Sequence, residues 1–330
     1  MEKVEINQGE EWQMKQIGII EIGSNSTKCL VAALEEDRLS IVRDSIHPAR
    51  LSQELLLSRS LKKGIVTHTL DVIKTLVGEL RQNGVEDIRI IGTHSLREAK
   101  NRKALLNKVI TYTGLQTQIL TEQEEATYAF RAIQPELHRE EGKVGLVDIG
   151  GGSTEIVVGC KRGVIRKMSV NLGAVTLTDL LKTPFEVRFV EDWGLSTAVG
   201  IHFLEVKHLP SITHLYGIGG TVTALGSLYA NEPGKFKLPL EGLILPIAYI
   251  AAMTEKLHGM SVEQRQELPG MPVNRADVIV VGCLILQEVM ACFKISHIEV
   301  STRGVRHGYL FDMLKHKKIQ YTLTRQFPCR

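Results

Sequence analysis

Aromatic residues are scarce. Phe, Trp and Tyr make up 5% of the 330 residues, too few for the stacking platforms on which single-stranded nucleic acids are held. An excess of one charge is also lacking. The net charge is +3, and no run of like charge is long enough to serve as a nucleic-acid tail. Lys315-His316-Lys317-Lys318 comes nearest, and it reads as the solvated end of a helix. No apolar run approaches the about 20 residues of a membrane span, and the acidic, polar residues 1–13 do not resemble a signal peptide. The five cysteines, Cys29, Cys160, Cys283, Cys292 and Cys329, are odd in number and none pair at metal-ligand spacing. They read as free thiols in a reducing compartment. These absences lead to the expectation of a cytoplasmic protein with no nucleic-acid and no membrane partner.

What is present is globular. Hydrophobic residues form 43% and charged residues 23% of the chain. The length exceeds what one core usually supports, so two domains are expected. The order of elements repeats. Residues 17–22, 27–34 and 38–46 read as strands, followed by a helix over 67–80, a strand at 88–91 and another at 116–120. Ser95-Leu96-Arg97-Glu98 and Thr121-Glu122-Gln123-Glu124 read as capping boxes that each start a helix. The pattern begins again with strands at 144–149, 155–159 and 164–170. Thr183-Pro184-Phe185-Glu186 is a third capping box. A strand at 214–218 leads into Gly219-Gly220-Thr221 and a helix. A helix over 276–290, a strand at 298–301 and a helix over 306–315 close the chain. This is a duplicated α/β architecture, with a cleft expected where the two halves face each other.

Each half opens with a strand that ends in an acid and a glycine turn: Glu21 before Gly23-Ser24-Asn25-Ser26, and Asp148 before Gly150-Gly151-Gly152-Ser153-Thr154. Glycine permits positive φ and lets backbone N–H groups approach an anion, while Ser24, Ser26, Ser153 and Thr154 add hydroxyls. Two facing turns are suited to a chain of phosphates. Neither is a Walker loop, since no Gly-Lys-Ser/Thr follows. Tyr216-Gly217-Ile218-Gly219-Gly220-Thr221 approaches a dinucleotide fingerprint, but Val222 occupies the last glycine position. Glu21, Asp148 and Glu155 flank the turns, and oxygen ligands of this kind suit Mg²⁺. Each reads alternatively as a hydrogen-bonded acid at a strand end.

Taken together, Ile20-Glu21-Ile22-Gly23-Ser24-Asn25-Ser26, Ser95-Leu96-Arg97-Glu98-Ala99, Glu124-Glu125-Ala126 and Asp148-Ile149-Gly150-Gly151-Gly152-Ser153-Thr154-Glu155 resemble the motifs of the exopolyphosphatase/guanosine-pentaphosphate phosphatase family. Asn171-Leu172-Gly173-Ala174, Gly219-Gly220-Thr221, Arg275-Ala276-Asp277 and residues 303–308 continue the match, which runs from about residue 15 to 315. The resemblance implies two duplicated actin-like (ribonuclease H-like) domains over 15–126 and 127–305. A disordered extension, 1–14, precedes them, and residues 306–330 return as a helix to the first domain. It implies the short two-domain form, without the C-terminal helical domain of longer members, and a homodimer. The implied reaction is Mg²⁺-dependent release of the terminal phosphate from inorganic polyphosphate, with guanosine pentaphosphate as the alternative substrate.

The match places the water-activating glutamate on Glu125. Arg97 is expected to contact the terminal phosphate, and Gly220 and Thr221 to join the two turns in phosphate binding. Arg50, Arg303 and Arg306 are candidate tracks for a long polyanion, His94 reads as structural, and residues 51–63 are expected along the cleft. Glu21 departs from the family, which normally carries aspartate there. That departure keeps a third reading open, a sensor that binds alarmone or polyphosphate with little hydrolysis. A kinase would require an adenosine pocket.

Overall fold

The computed structural model describes residues 15–137, 142–182, 194–232, 238–317 and 319–323. The expected extension 1–14, the capping box at Thr183 and residues 318 and 324–330 lie outside them. Two six-stranded sheets organise the chain. The first has the order β12-β3-β2-β1-β4-β5 and the second β10-β11-β9-β6-β7-β8. In the first, β1 (Lys15–Ile22), β2 (Ser26–Glu35) and β3 (Arg38–Pro48) form an antiparallel meander, while β4 (Asp87–Gly92) and β5 (Thr117–Ile119) add in parallel beyond β1. The second repeats this order with β6 (Val144–Ile149), β7 (Thr154–Cys160), β8 (Gly163–Val170), β9 (His214–Ile218) and β11 (His297–Val300). The edge strands break the repetition: β10 (Leu243–Pro246) pairs antiparallel with β11, and β12 (Thr322–Leu323) brings the end of the chain back beside β3.

The duplicated order read from the sequence is therefore present as duplicated topology. β1, buried along most of its length, is flanked on both sides, which its run Ile17-Gly18-Ile19-Ile20 requires. Helix α1 (Lys63–Gln82) packs Leu70, Ile73, Leu76, Val77 and Leu80 on the outer face of the first sheet. Helix α2 (Ile279–Phe293), apolar nearly all round, fills the second half's core with Ile285, Leu286 and Val289. It starts later than the sequence pattern indicates, because Val273–Arg275 forms a separate 3₁₀ turn ahead of it. Between the sheets lies a third cluster. Tyr128, Ala129, Phe130 and Ile133 of the helix Glu122–Ile133 meet Val305, Leu310, Phe311 and Leu314 of the helix Val305–His316, and Ile19 and Leu146 close it from either sheet. No helix among the described residues is long and apolar enough to cross a membrane.

Candidate active site

The two β-hairpins that begin the halves have the same geometry. In the first, Glu21 faces Lys28 and Ile22 faces Thr27 across the ladder. In the second, Asp148 faces Glu155 and Ile149 faces Thr154. Both turns close in the same way, Gly23 N–H donating to Ser26 O and Gly150 N–H to Ser153 O, each at 3.0 Å. Positive φ is not the reason for these glycines, since none of Gly23, Gly150, Gly151 and Gly152 adopts it. The reason is close approach. A Cβ on Gly23 or Gly150 would lie 2.9 Å from the turn's own carbonyl, and one on Gly152 would meet the His94 ring and come 2.5 Å from Ser24 Oγ. The two turns thus pack against each other across the cleft.

The carbonyl oxygens of both turns are directed into the fold. Ala49 and Arg50 N–H donate to Asn25 O, and Ser52 N–H to Ser24 O. In the second half, Ala174 N–H donates to Gly150 O, and Val175 and Thr176 N–H donate to Gly151 O, from the start of the helix Ala174–Leu180. The N–H faces of the turns are what remain for an anion in the cavity. That cavity is narrow, about 40 Å³, room for one to three waters. Its walls include Glu21, Lys28, Ser24, Ser26, Glu125, Asp148, Ser153, Glu155, Gly220 and Arg275.

Glu125 sits in the first turn of the helix Glu122–Ile133, whose start is fixed by the expected capping box between Thr121 and Glu124. Its Oε2 accepts from Arg97 Nη1 at 2.9 Å. Burial pushes the carboxyl up to about 7; Arg97 opposes this, and the nearby Asp148 and Glu21 add to it. Burial also drives Asp148 up to about 6, with Glu21 adding to the shift and Lys28 and Arg275 opposing it. Glu155 is raised well above the ordinary glutamate value, by burial first and then by Glu125 and Asp148, although Ser169 Oγ donates to it at 3.0 Å. Glu21 behaves differently. Burial raises it, but Lys28 Nζ at 2.7 Å and Arg306 Nη1 at 3.8 Å outweigh burial and hold it below the usual range. The cavity therefore has a first hairpin whose acid is held ionised by adjacent cations and a second one whose two acids are both raised by burial.

Several expectations change. Ser95 is not a cap: the helix is His94–Glu98 with Thr93 at its N-cap, and Ser95 Oγ donates to Ser24 Oγ at 2.8 Å, bracing the first turn. Thr154 and Thr221 do not face the cavity. Thr154 Oγ1 donates to Leu172 O, and Thr221 packs against Gly282 of α2. Arg97 stands behind Glu125 rather than in the cavity wall, its Nη1 also donating to Leu120 O and its Nε lying 4.0 Å from Glu122 Oε1, while Nε and Nη2 are buried without a hydrogen bond. The three candidate polyanion tracks are paired with acids: Arg50 with Asp277, Arg303 with Glu136, and Arg306 with Asp44. Of residues 51–63, none enters the cavity wall, though Ser52 supports the first turn and Glu54 reaches Asp179 in the other half. His94 is buried, its ring against the position of Gly152, and burial followed by Arg97 lowers it to about 4.

Among the described residues, no three His, Cys, Asp or Glu side chains converge as a ready-made metal cage. Glu21, Asp148 and Glu155 do share one cavity wall, but Lys28 engages Glu21. The sequence reading passes over Lys28, and it includes Arg275 only within the Arg275-Ala276-Asp277 match, without a role. Counting the hairpin register from Gly23 back to Glu21 and forward from Ser26 identifies Lys28. In the structure the Arg275 guanidinium is buried against Gly220, with Nη1 unpartnered.

A family model described as the Ppx/GppA phosphatase family matches residues 30–317. Exopolyphosphatase 2 of Mycobacterium tuberculosis is 26% identical over 294 residues, 84% of this chain and 90% of that protein. A bifunctional 3-dehydroquinate synthase/phosphatase of Fusobacterium nucleatum is 24% identical over 90% of this chain, which spans 46% of that protein's length. The crystal structure of the Ppx/GppA family member from Aquifex aeolicus superposes with a TM-score of 0.73 at 26% identity, covering 92% of this chain and 99% of that one.

Proposed function

Because the chain belongs to the Ppx/GppA phosphatase family, we propose that it is a phosphoanhydride hydrolase releasing terminal orthophosphate from inorganic polyphosphate. The observation that carries this reading is Glu125, a buried carboxyl near neutrality, held by Arg97 in a cavity between two glycine turns. The backbone N–H groups of the turns bind the phosphates next to the terminal one. Glu125 takes a proton from water as the water oxygen bonds to the terminal phosphorus. The bond to the bridging oxygen breaks, and the shortened chain leaves as the anion. Arg97 orients Glu125, and Lys28 adds positive charge to the first hairpin.

A divalent cation fits the residues present. Burial raises both Asp148 and Glu155, and Glu155 is raised further by Glu125 and Asp148; Lys28, Arg275 and Arg306 offset part of this at Asp148, and a metal would offset the rest. Asp148 and Glu155 would hold it, with water and phosphate completing the shell, as Mg²⁺ usually accepts. Bound there, Mg²⁺ supplies neutralisation of phosphate charge. Glu21 is assigned to Lys28 instead.

Among the described residues, none in the cavity wall is aromatic, which favours an inorganic chain over a nucleotide whose base would stack. Phosphate release is measured with polyphosphate and guanosine pentaphosphate in parallel, with Mg²⁺ and with a chelator. Release from polyphosphate that the chelator abolishes is expected. No release from either substrate overturns the hydrolase reading in favour of a binding protein.

A further inference from the structure

Five non-glycine residues among those described adopt the left-handed region, and three of them, Arg50 at φ 53°, Glu54 at φ 57° and Arg59 at φ 55°, lie in the segment after β3. Such strain persists only where the surroundings over-determine the backbone. Arg59 pairs with Glu98 in its own half, whereas Arg50 and Glu54 reach the other half of the molecule. Arg50 Nη1 and Nη2 donate to the two carboxylate oxygens of Asp277 at 2.7 and 2.9 Å, a fork-to-fork pair. Glu54 N–H donates to Asp179 Oδ2 at 2.9 Å. Asn25 Nδ2 makes a longer third bond to Asn274 O at 3.5 Å.

The partners are the segments that support the turns. Residues 49–52 donate to the carbonyls of the first turn. Asp179 belongs to the helix Ala174–Leu180, whose first N–H groups bind the carbonyls of the second. Asp277 lies just after Arg275, which enters the cavity wall. A pull on either contact is therefore transmitted to a turn. Closed in this way, the cavity of about 40 Å³ holds a few waters and not a phosphate chain.

We propose that Arg50 and Asp277 form an electrostatic latch across the cleft mouth that sets the spacing of the two phosphate turns. They are positioning residues: they act through Asn25, Ser24 and Arg275 and touch no reacting atom. The latch opens for the substrate to enter and re-forms over it. The kinetic part of the test rests on the hydrolase reading; the conformational part does not.

Arg50→Gln and Asp277→Asn remove either half of a partly exposed pair, so both variants are expected to fold. Small-angle scattering of the substrate-free protein reads the opening. Each variant is expected to have a larger radius of gyration than the parent, with an open fraction about five-fold higher, the order expected of one well-aligned pair near the surface. Rising salt should expand the parent and leave the variants unchanged. In turnover, both variants should lose kcat to a similar extent, about five-fold, and the exchange Arg50→Asp with Asp277→Arg should recover most of it. An unchanged radius of gyration in both single variants overturns the latch. So does a KM that rises in Arg50→Gln alone, which would make Arg50 a substrate contact. If no variant and no parent hydrolyses polyphosphate, the scattering result still decides the latch.

Discussion

Replacing Glu125 by glutamine separates chemistry from architecture. The amide keeps the shape of the side chain and can still accept from Arg97 Nη1, so the contact at 2.9 Å need not be lost. What disappears is the capacity to take a proton. Loss of a positioned general base costs about 10²- to 10⁴-fold in rate, or about 3 to 5 kcal/mol at 1.36 kcal/mol per decade. Stability should move the other way. The folded-state carboxyl is raised from 4.5 to about 7, so the folded protein holds this proton where the unfolded chain has released it. The stability from that proton is complete below about pH 4.5 and lost as pH rises through 7, up to about 3 kcal/mol for an isolated group. The amide does not ionise and avoids the loss. At pH 8 the Glu125→Gln protein should therefore unfold at a temperature equal to or above that of the parent, while at pH 5 any advantage vanishes. The assays are steady-state phosphate release and thermal unfolding at both pH values. Near-full turnover refutes the role of Glu125 as base, and a variant less stable than the parent at pH 8 refutes the account of its burial.

Further outcomes follow from the same geometry. For the parent, kcat/KM should rise with pH and level off near 7, the bend shifting downward as Mg²⁺ is raised; a flat profile from pH 5 to 8 contradicts a titrating Glu125. Lys28→Met strips Glu21 of its nearest cation and should destabilise the protein at pH 7 by about 2 kcal/mol, the buried-pair cost discounted for Lys28's partial exposure. Because the depressed Glu21 carboxyl contributes stability above about pH 4.5 and loses it as pH falls through its folded-state value, the gap between variant and parent should narrow in acid; a constant gap in chemical denaturation would remove Lys28 as the cause. Gly152→Ala forces a methyl into Ser24 Oγ and the His94 ring, costing about 1 to 3 kcal/mol and most of the phosphate release; an alanine variant with parental stability and turnover would show that the turns need not touch.

The sequence makes the repeated scaffold legible because its signals are local. Apolar strands ending in an acid and a glycine turn are contiguous, and the capping box at Thr121 lies within four residues of the Glu125 it positions. Hydroxyl directions were also open to inference in one case. Thr154 and Glu155 are neighbours on a strand and must face opposite ways, so with Glu155 in the cavity wall Thr154 turns inward to Leu172. Thr221 offers no such rule, because its contact with Gly282 joins distant segments. Likewise Arg50 and Asp277 are 227 positions apart, and a cationic side chain that looks free in sequence is paired only by the tertiary fold. The strand–helix unit Leu243–Pro246 and Ile247–His258 is a different case: Pro246 marks the break between its two periods, and the pattern reading passes over it.

The two hairpins share their backbone but not their charges, Glu21 with Lys28 on one side and Asp148 with Glu155 on the other. An unbranched row of phosphates reads the same from either end, and a cleft with true two-fold character could not distinguish head from tail. The mismatch of side chains on matching ladders gives the cleft a direction of its own. On the proposed reading, whichever end of such a polymer enters, its last unit comes to rest beside Glu125.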